Sequence, residues 1–351
     1  MGSALSSSGV TAYSTAADPI DAPRQIGWPP TVQFAFARPA TAHAALRFTW
    51  ALAHTHYENF SVVSHLLPRR LRQDFCNVYA FCRIADDLGD EIPDRDQSLR
   101  MLDRFRQETE AMFAGDAQSM VFCALASTVH NHDIPIQPFL DLIDAFEQDQ
   151  RMDRYQSYAE LADYCRRSAN PVGRLVLYLA GYRDEQRQLL SDHTCTALQL
   201  ANFWQDVRRD LQDRNRIYLP RETMDRFNLT EDQLHAGIRD GSCPDNFRHA
   251  IAFEVDRAQA LFDKGDALLP LLDEHIRPQV SLFGKGGKAI LQAIRRRNFD
   301  TLTARPTLSR WQKGRLVLRA MAGRLSQIIN PADAPSPADA SSPADASSEV
   351  Q

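Results

Sequence analysis

Across most of this chain the apolar residues recur at steps of three and four, and that spacing admits helices and little else. Phe75, Val78, Tyr79 and Cys82 follow it, as do Leu175, Val176 and Leu179, and then Phe203, Val207 and Leu211. Such a period paints one side of a helix apolar, whereas a half-buried strand needs strict alternation, which is hardly present. Pro93, Pro135, Pro138, Pro171, Pro220, Pro270 and Pro278 interrupt the pattern where helices would start or stop, because proline lacks the amide donor that a helix interior uses. The expected fold is all-α, a single helical domain over residues 46–328. At its edges the pattern fades. Residues 1–45 are rich in Ala, Ser, Thr and Pro, and residues 329–351 repeat a Pro-Ala-Asp unit. Neither composition buries enough apolar surface to offset the entropy of ordering, so both are expected to be flexible tails.

Composition narrows the function. A hydrophobic content of 44% supports a substantial core, and a formal net charge of −5 with no basic block gives no footing for a nucleic-acid partner. The 6 cysteines form neither a CxxC pair nor a dense framework, which predicts reduced thiols in a cytoplasmic protein. No apolar run approaches the roughly 20 residues that span a bilayer, and no charged segment followed by an apolar core opens the chain. Membrane contact is then peripheral at most. For that contact the segment SRWQKGRLVLRAMAGRLSQII, 309–329, sets Arg315, Arg319 and Arg324 among Leu316, Leu318, Met321 and Leu325. It reads either as a helix on an anionic membrane surface at the inner face of the membrane or as a packed terminal helix.

Two polar stretches stand out against the apolar rhythm. In FCRIADDLGDE, 81–91, a helix over 74–91 would carry Tyr79, Arg83, Asp86 or Asp87, and Asp90 down one face, anchored by Phe75, Val78 and Cys82 on the next. Taken alone, the acids also fit a solvated helix end, where like charges cost only a few tenths of a kcal/mol. In QLANFWQDVRRDLQDRNRIYLP, 199–220, Asn202, Asp206 and Asp210 fall at i, i+4 and i+8 beside the apolar line Phe203, Val207 and Leu211. Two carboxylates about 6 Å apart repel by roughly 3 kcal/mol at an effective dielectric of about 20, so two such faces turned inward call for cations. Oxygen-only ligands suit Mg²⁺, which commonly joins a few carboxylates to a phosphate-bearing substrate. Arg83, Arg208, Arg209, Arg214 and Arg216 are placed either to hold phosphate oxygens or to neutralise surface acids.

At these residues the chain resembles the squalene/phytoene synthase family. RIADDLGD is similar to the family's first aspartate-rich motif and NFWQDVRRD to its second, followed by Arg216 and Tyr218; YCRRSANPVG, 164–173, resembles the central Tyr-Cys segment, and HYENF, 56–60, the start of the first substrate-contacting helix. The resemblance covers about 50–305. It implies an isoprenoid-synthase-type helical bundle around a central cavity, a prenyl diphosphate substrate and Mg²⁺ as cofactor. Carried over residue by residue, Asp86 and Asp90 match one metal-binding pair, and Asn202, Asp206 and Asp210 match the other metal set. His56, Tyr57, Glu58, Asn59, Tyr79, Arg83, Gln199, Arg216 and Tyr218 match substrate-binding positions, and Tyr164 matches a catalytic tyrosine near the developing cation. Phe60, Tyr79, Tyr164 and Trp204 are either cation-facing rings or ordinary core. The sequence departs from common family patterns at Phe299, where many relatives carry Tyr, at Gln205, where some carry Arg, and in an interval from Asp210 to Arg216 that is one residue longer.

Within the family, HYENFSVVSHLLPRRLR and YCRRSANPVGRLVL are most similar to bacterial hydroxysqualene synthases. That similarity implies ionisation of presqualene diphosphate and addition of water, with other squalene-pathway enzymes as the expected partners for handover. Presqualene diphosphate, dehydrosqualene and phytoene synthases are the enzymatic alternatives, and a non-catalytic assembly protein of the same superfamily is the alternative of a different class. Other motifs read blandly. FGKGGK, 283–288, lacks the spacing of a phosphate-binding loop and is expected to link helices, and the pairs His54/His56 and His130/His132 diverge on a helix.

Overall fold

The computed structural model describes residues 29–55 and 68–308. In chain order its helices are α1 (Pro30–Ala35), α2 (Ala42–Thr55), α3 (Arg72–Asp90), α4 (Arg95–Phe113), α5 (Met120–Asn131), α6 (Gln137–Asp149), α7 (Tyr158–Ser168), α8 (Asn170–Leu179), α9 (Glu185–Arg214), α10 (Arg221–Arg226), α11 (Glu231–Asp240), α12 (Asp245–Gly265) and α13 (Arg277–Arg296), with short 3₁₀ turns at Arg69–Leu71 and Asp266–Leu271. Among the described residues the only extended pairing is an isolated parallel bridge between Arg154 and Ile217. Prolines mark starts as the sequence predicts, standing in the first turns of α6, α8 and α13 and directly before α10. Side-chain caps set others: Asp94 accepts from the Gln97 amide at α4, Asp184 from Arg187 at α9, and Thr230 with Gln233 closes a capping box at α11.

Two apolar clusters hold this bundle. The first surrounds α3, whose Phe75, Val78, Phe81, Ile84, Ala85 and Leu88 are buried. Helices α2, α4, α5 and α6 pack on it, and the Phe81 ring lies 4.8 Å from both Phe105 and Phe139. The second surrounds α9, a helix of 30 residues and so about 45 Å long. Against it pack α8, α12 and α13, burying Trp204, Phe247 and Phe262 completely or nearly so. Each acid-bearing helix therefore has its apolar side committed to its own cluster, and this fixes the rotation of its polar face.

Two regions depart from the sequence-based picture. Helix α1 and the start of α2 fall inside the span expected to be an N-terminal tail; Val32 and Ala35 are buried and the Thr31 hydroxyl donates to Asp87 at 2.7 Å. Short apolar pairs in Ala-rich sequence carry little periodic signal, although here they cover α3. FGKGGK is not a linker. It lies within α13, where a Cβ at Gly287 would meet the Phe262 ring at 2.3 Å and Leu198 at 2.8 Å. Close helix packing at that glycine offsets its poor helix propensity of about 1 kcal/mol.

Candidate active site

The last turn of α3 gathers Asp86, Asp87 and Asp90 at the negative end of the helix dipole, with no basic residue in that turn. Both the dipole and the mutual repulsion of these acids are unfavourable unless cations lie near. The structure separates the two adjacent aspartates. Asp87 is 1% exposed and ion-paired with Arg83 while accepting from Thr31, which makes it an internal anchor. Asp86 keeps a side chain 42% exposed, 3.3 Å from Arg83. Crowding by the protein and then the Asp90 carboxylate push its pKa up to about 7. The face predicted as Asp86 or Asp87 is thus presented by Asp86 and Asp90. Tyr79 stands on the same helix, half-buried, with its pKa raised chiefly by burial.

Helix α9 brings Asp206 and Asp210 to one face, with Asn202 exposed one turn earlier and Gln199 half-buried before it. Burial, and after it the Asp206 carboxylate, lift the Asp210 pKa to about 7. Asp206 is held differently: Arg305 forms a two-point ion pair with it, its Nη2 lying 3.0 Å from Oδ2. The surrounding backbone is fixed to the same helix, since Gln205 donates to the Pro306 carbonyl at 2.5 Å and Arg208 to that of Thr303. A cavity of about 320 Å³ opens between α9 and this segment, lined in part by Asp206, Arg208, Arg209 and Arg305.

The two acid-bearing helices meet through their ends. Arg214 Nη1 lies 2.6 Å from Asp90 Oδ2, and the Arg214 charge also acts on Asp86 and Asp210. Arg216 comes in beside it, 7% exposed, with Nη1 3.7 Å from both Asp90 and Asp149 and Nη2 donating to the Asp149 carbonyl at 2.7 Å. The five arginines named from sequence are thereby sorted: Arg83, Arg214 and Arg216 belong to this junction, Arg208 bonds Gln212 and Thr303, and Arg209 faces Asp213 at 3.6 Å.

Behind the arginines lies an aromatic group. Tyr164 is 3% exposed and its hydroxyl donates to Asp149 Oδ2 at 2.7 Å. Burial raises the Asp149 pKa to about 6 against the pull of Arg216, and it raises the Tyr164 hydroxyl well above its ordinary value. Tyr218 stacks on Phe203 with centroids 3.7 Å apart and lies 6.0 Å from Tyr164 and 5.8 Å from Tyr155. Trp204, considered as a cation-facing ring, is completely buried in the α9 cluster, and its indole N–H has no hydrogen-bond partner among the described residues. Phe299 follows α13 with φ 59° and packs against that same cluster.

His56, Tyr57, Glu58, Asn59 and Phe60 lie outside the described residues, as does the basic segment from 309 onward. Sequence reasoning did not identify Asp149, Arg154 or Arg305. Their places at the site depend on tertiary turns, and none shares a helix face with the motifs.

Among the described residues no three His, Cys, Asp or Glu side chains are gathered into a preformed metal cluster. Oxygen donors on two helices joined at their ends, with the pKa values of Asp86 and Asp210 raised, nevertheless fit a hard cation, which would relieve the repulsion within each carboxylate pair. Behind Arg216, the buried Asp149 Oδ1 has no hydrogen-bond partner among the described residues.

An all-helical bundle of this architecture, with two oxygen-rich faces joined through arginines beside an aromatic group, defines an enzyme of the isoprenoid-synthase fold. The squalene/phytoene synthase family model matches residues 53–312. A hydroxysqualene synthase from Zymomonas mobilis is 30% identical over 76% of this chain and 88% of its own length. A 15-cis-phytoene synthase from Synechococcus elongatus is 28% identical over 79% of this chain and 94% of its own. Among solved structures, the squalene synthase HpnC from Alicyclobacillus acidocaldarius superposes with a TM-score of 0.69 at 46% identity, covering 74% of this chain and 97% of that one. The chain belongs to the squalene/phytoene synthase family. It is an enzyme of the class that acts on prenyl diphosphates, and members of this family are typically dependent on a divalent metal. No described helix is long and apolar enough to cross a membrane.

Proposed function

We propose that this chain is a hydroxysqualene synthase, ionising presqualene diphosphate and adding water to the resulting cation to give hydroxysqualene and diphosphate. The observation that carries the reading is the junction at Arg214, which pairs with Asp90 of α3 while its charge acts on Asp210 of α9, close to the stacked Tyr164 and Tyr218. The relatives named hydroxysqualene synthase and squalene synthase HpnC support the choice within the family.

Asp86, Asp90, Asn202, Asp206 and Asp210 are the residues proposed to hold Mg²⁺. Bound there, Mg²⁺ would supply positive charge to diphosphate oxygens as the leaving group departs. The chain's own contribution is positional and electrostatic. Arg83, Arg214 and Arg216 present guanidinium donors to the diphosphate, whose C–O bond breaks with both electrons leaving on oxygen. The stacked Tyr218 and Phe203 and the adjacent Tyr164 ring give the carbocation an electron-rich wall, worth about 0.5–2 kcal/mol per ring. Tyr164 keeps its proton on its own oxygen, donated to Asp149, so that the ring remains neutral beside the cation. One cyclopropane C–C bond of the cation then opens, its electron pair forming the new double bond, and one water forms the C–O bond at the resulting cationic carbon and gives its proton to solvent.

Peripheral membrane contact and handover to other squalene-pathway enzymes belong to the same proposal, since substrate and product are lipids. A second reading, condensation of two prenyl diphosphates, is favoured by the phytoene synthase relative. Purified protein is incubated separately with presqualene, farnesyl and geranylgeranyl diphosphates, with Mg²⁺ and without a nicotinamide. Hydroxysqualene from presqualene diphosphate alone supports the proposal. Product only from two farnesyl or two geranylgeranyl diphosphates overturns it in favour of condensation, and no product from any substrate would favour the non-catalytic alternative.

A further inference from the structure

Arg216 and Tyr218 reach the site only because the chain reverses sharply as α9 ends. Asn215 takes the left-handed conformation, φ 52°, and the amides of Asn215 and Arg216 both donate to the Asp210 carbonyl. Beyond it the extended stretch 216–220 and the first turn of α10 are laid along 153–156 by main-chain bonds: Ile217 to Asp153 at 2.9 Å, Arg221 to Tyr155 at 2.9 Å and Glu222 to Gln156 at 3.1 Å. A left-handed turn of a residue other than glycine costs about 1 kcal/mol or more and persists where its surroundings over-determine it.

One side chain supplies that surrounding order. Arg154 grips Glu231, in the first turn of α11, through Nε at 3.0 and 3.1 Å and Nη2 at 3.0 Å. The far edge of the same guanidinium takes both oxygens of Asn215, its carbonyl through Nη1 and its side-chain oxygen through Nη2 at 3.2 Å. Nη1 also donates to the Asp153 carbonyl at 2.9 Å. The planar fork thus locks the peptide that leads directly into Arg216, and a lysine, with one point of charge, cannot span these partners.

We propose that Arg154 is a positioning residue for diphosphate binding: it touches no substrate, and by fixing the left-handed Asn215 turn it aims Arg216 at Asp90 and Asp149 and stacks Tyr218 on Phe203. This rests on the reading of Arg216 as a diphosphate contact. An exposed salt bridge that merely staples a loop would add a few tenths of a kcal/mol to stability and leave ligand affinity unchanged. Coupling distinguishes the two roles, because a residue that works through Arg216 has nothing left to contribute once Arg216 is gone.

The test is a double-mutant cycle in the full chain, read by calorimetric titration with inorganic pyrophosphate in Mg²⁺ and accompanied by thermal unfolding. Arg154→Lys is expected to weaken pyrophosphate binding about tenfold with the folded state retained, Arg216→Lys to weaken it at least as much, and the double variant to match Arg216→Lys alone. Glu231→Gln, which removes the charge that Arg154 grips on the side away from the site, is expected to weaken binding in the same direction and less. Losses that simply add in the double variant, or unchanged affinity in Arg154→Lys, would overturn the inference while leaving Arg216 as a diphosphate contact. Unchanged affinity in Arg216→Lys would overturn it together with that assignment.

Discussion

Arg214, the final residue of α9, closes on Asp90, the final residue of α3, at 2.6 Å. Two helices whose apolar sides are committed to separate clusters are joined there by one ion pair at their polar ends. The Arg214 charge also acts on Asp86 of α3 and on Asp210 of α9.

Arg214→Gln should therefore injure catalysis more than folding. The guanidinium is partly exposed, with 36% of the side chain accessible, and such pairs contribute about 1 kcal/mol or less to stability. Turnover of the accepted prenyl diphosphate is expected to fall about 10²-fold through lost charge stabilisation, with the unfolding midpoint nearly unchanged. Steady-state kinetics beside urea unfolding checks both.

Adjacent aspartates should give opposite results. Asp86→Asn removes a carboxylate repelled by Asp90, and Asp206→Asn removes one repelled by Asp210; both variants are expected to keep wild-type thermal stability and lose turnover. Asp87→Asn strips a buried partner from Arg83 and is expected to destabilise the fold by about 3 kcal/mol. Full turnover in Asp86→Asn or Asp206→Asn would show the metal faces to be misassigned.

The raised pKa values of Asp86 and Asp210, each about 7, set a pH signature in metal-free protein. The folded state binds these protons more tightly than the unfolded chain, whose aspartates titrate near the ordinary value. Their contribution to stability is complete below that value and is lost as pH rises through about 7. Thermal midpoints measured without metal should carry this downward component from about pH 4 to 7. With Mg²⁺ the component should vanish, and Mg²⁺ affinity should be higher at pH 8 than at pH 6, because protons compete for the same oxygens.

Tyr164→Phe deletes the hydroxyl that donates to Asp149 in a buried place. The orphaned carboxylate oxygen is expected to cost about 1–3 kcal/mol in denaturant unfolding. A cost near zero would mean that Arg216 alone satisfies Asp149.

Much of this was legible in the sequence because helical periodicity is local. The predicted helix 74–91 is observed as Arg72–Asp90, and the i, i+4, i+8 register of Asn202, Asp206 and Asp210 lies on one continuous helix. Helical spacing alone left Asp86 and Asp87 open, with the family resemblance pointing to Asp86; the contact that draws Asp87 inward comes from Thr31, in a segment expected to be a tail. The partner of Asp206 was not legible, because Arg305 is 99 positions away along the chain. Periodicity cannot report contacts made by loops, and Asp149, Arg154 and Arg305 all enter through helix ends or connections.

If α3 and α9 direct their oxygen-bearing faces to one diphosphate site, diffraction from crystals grown with Mn²⁺ and pyrophosphate will show it. Anomalous peaks are expected about 2–2.5 Å from carboxylate oxygens of both helices, Asp86 or Asp90 on one and Asp206 or Asp210 on the other, with a single pyrophosphate bridging them. Peaks at one helix only, or pyrophosphate bound away from Arg214 and Arg216, would show that the two helices do not form one diphosphate site.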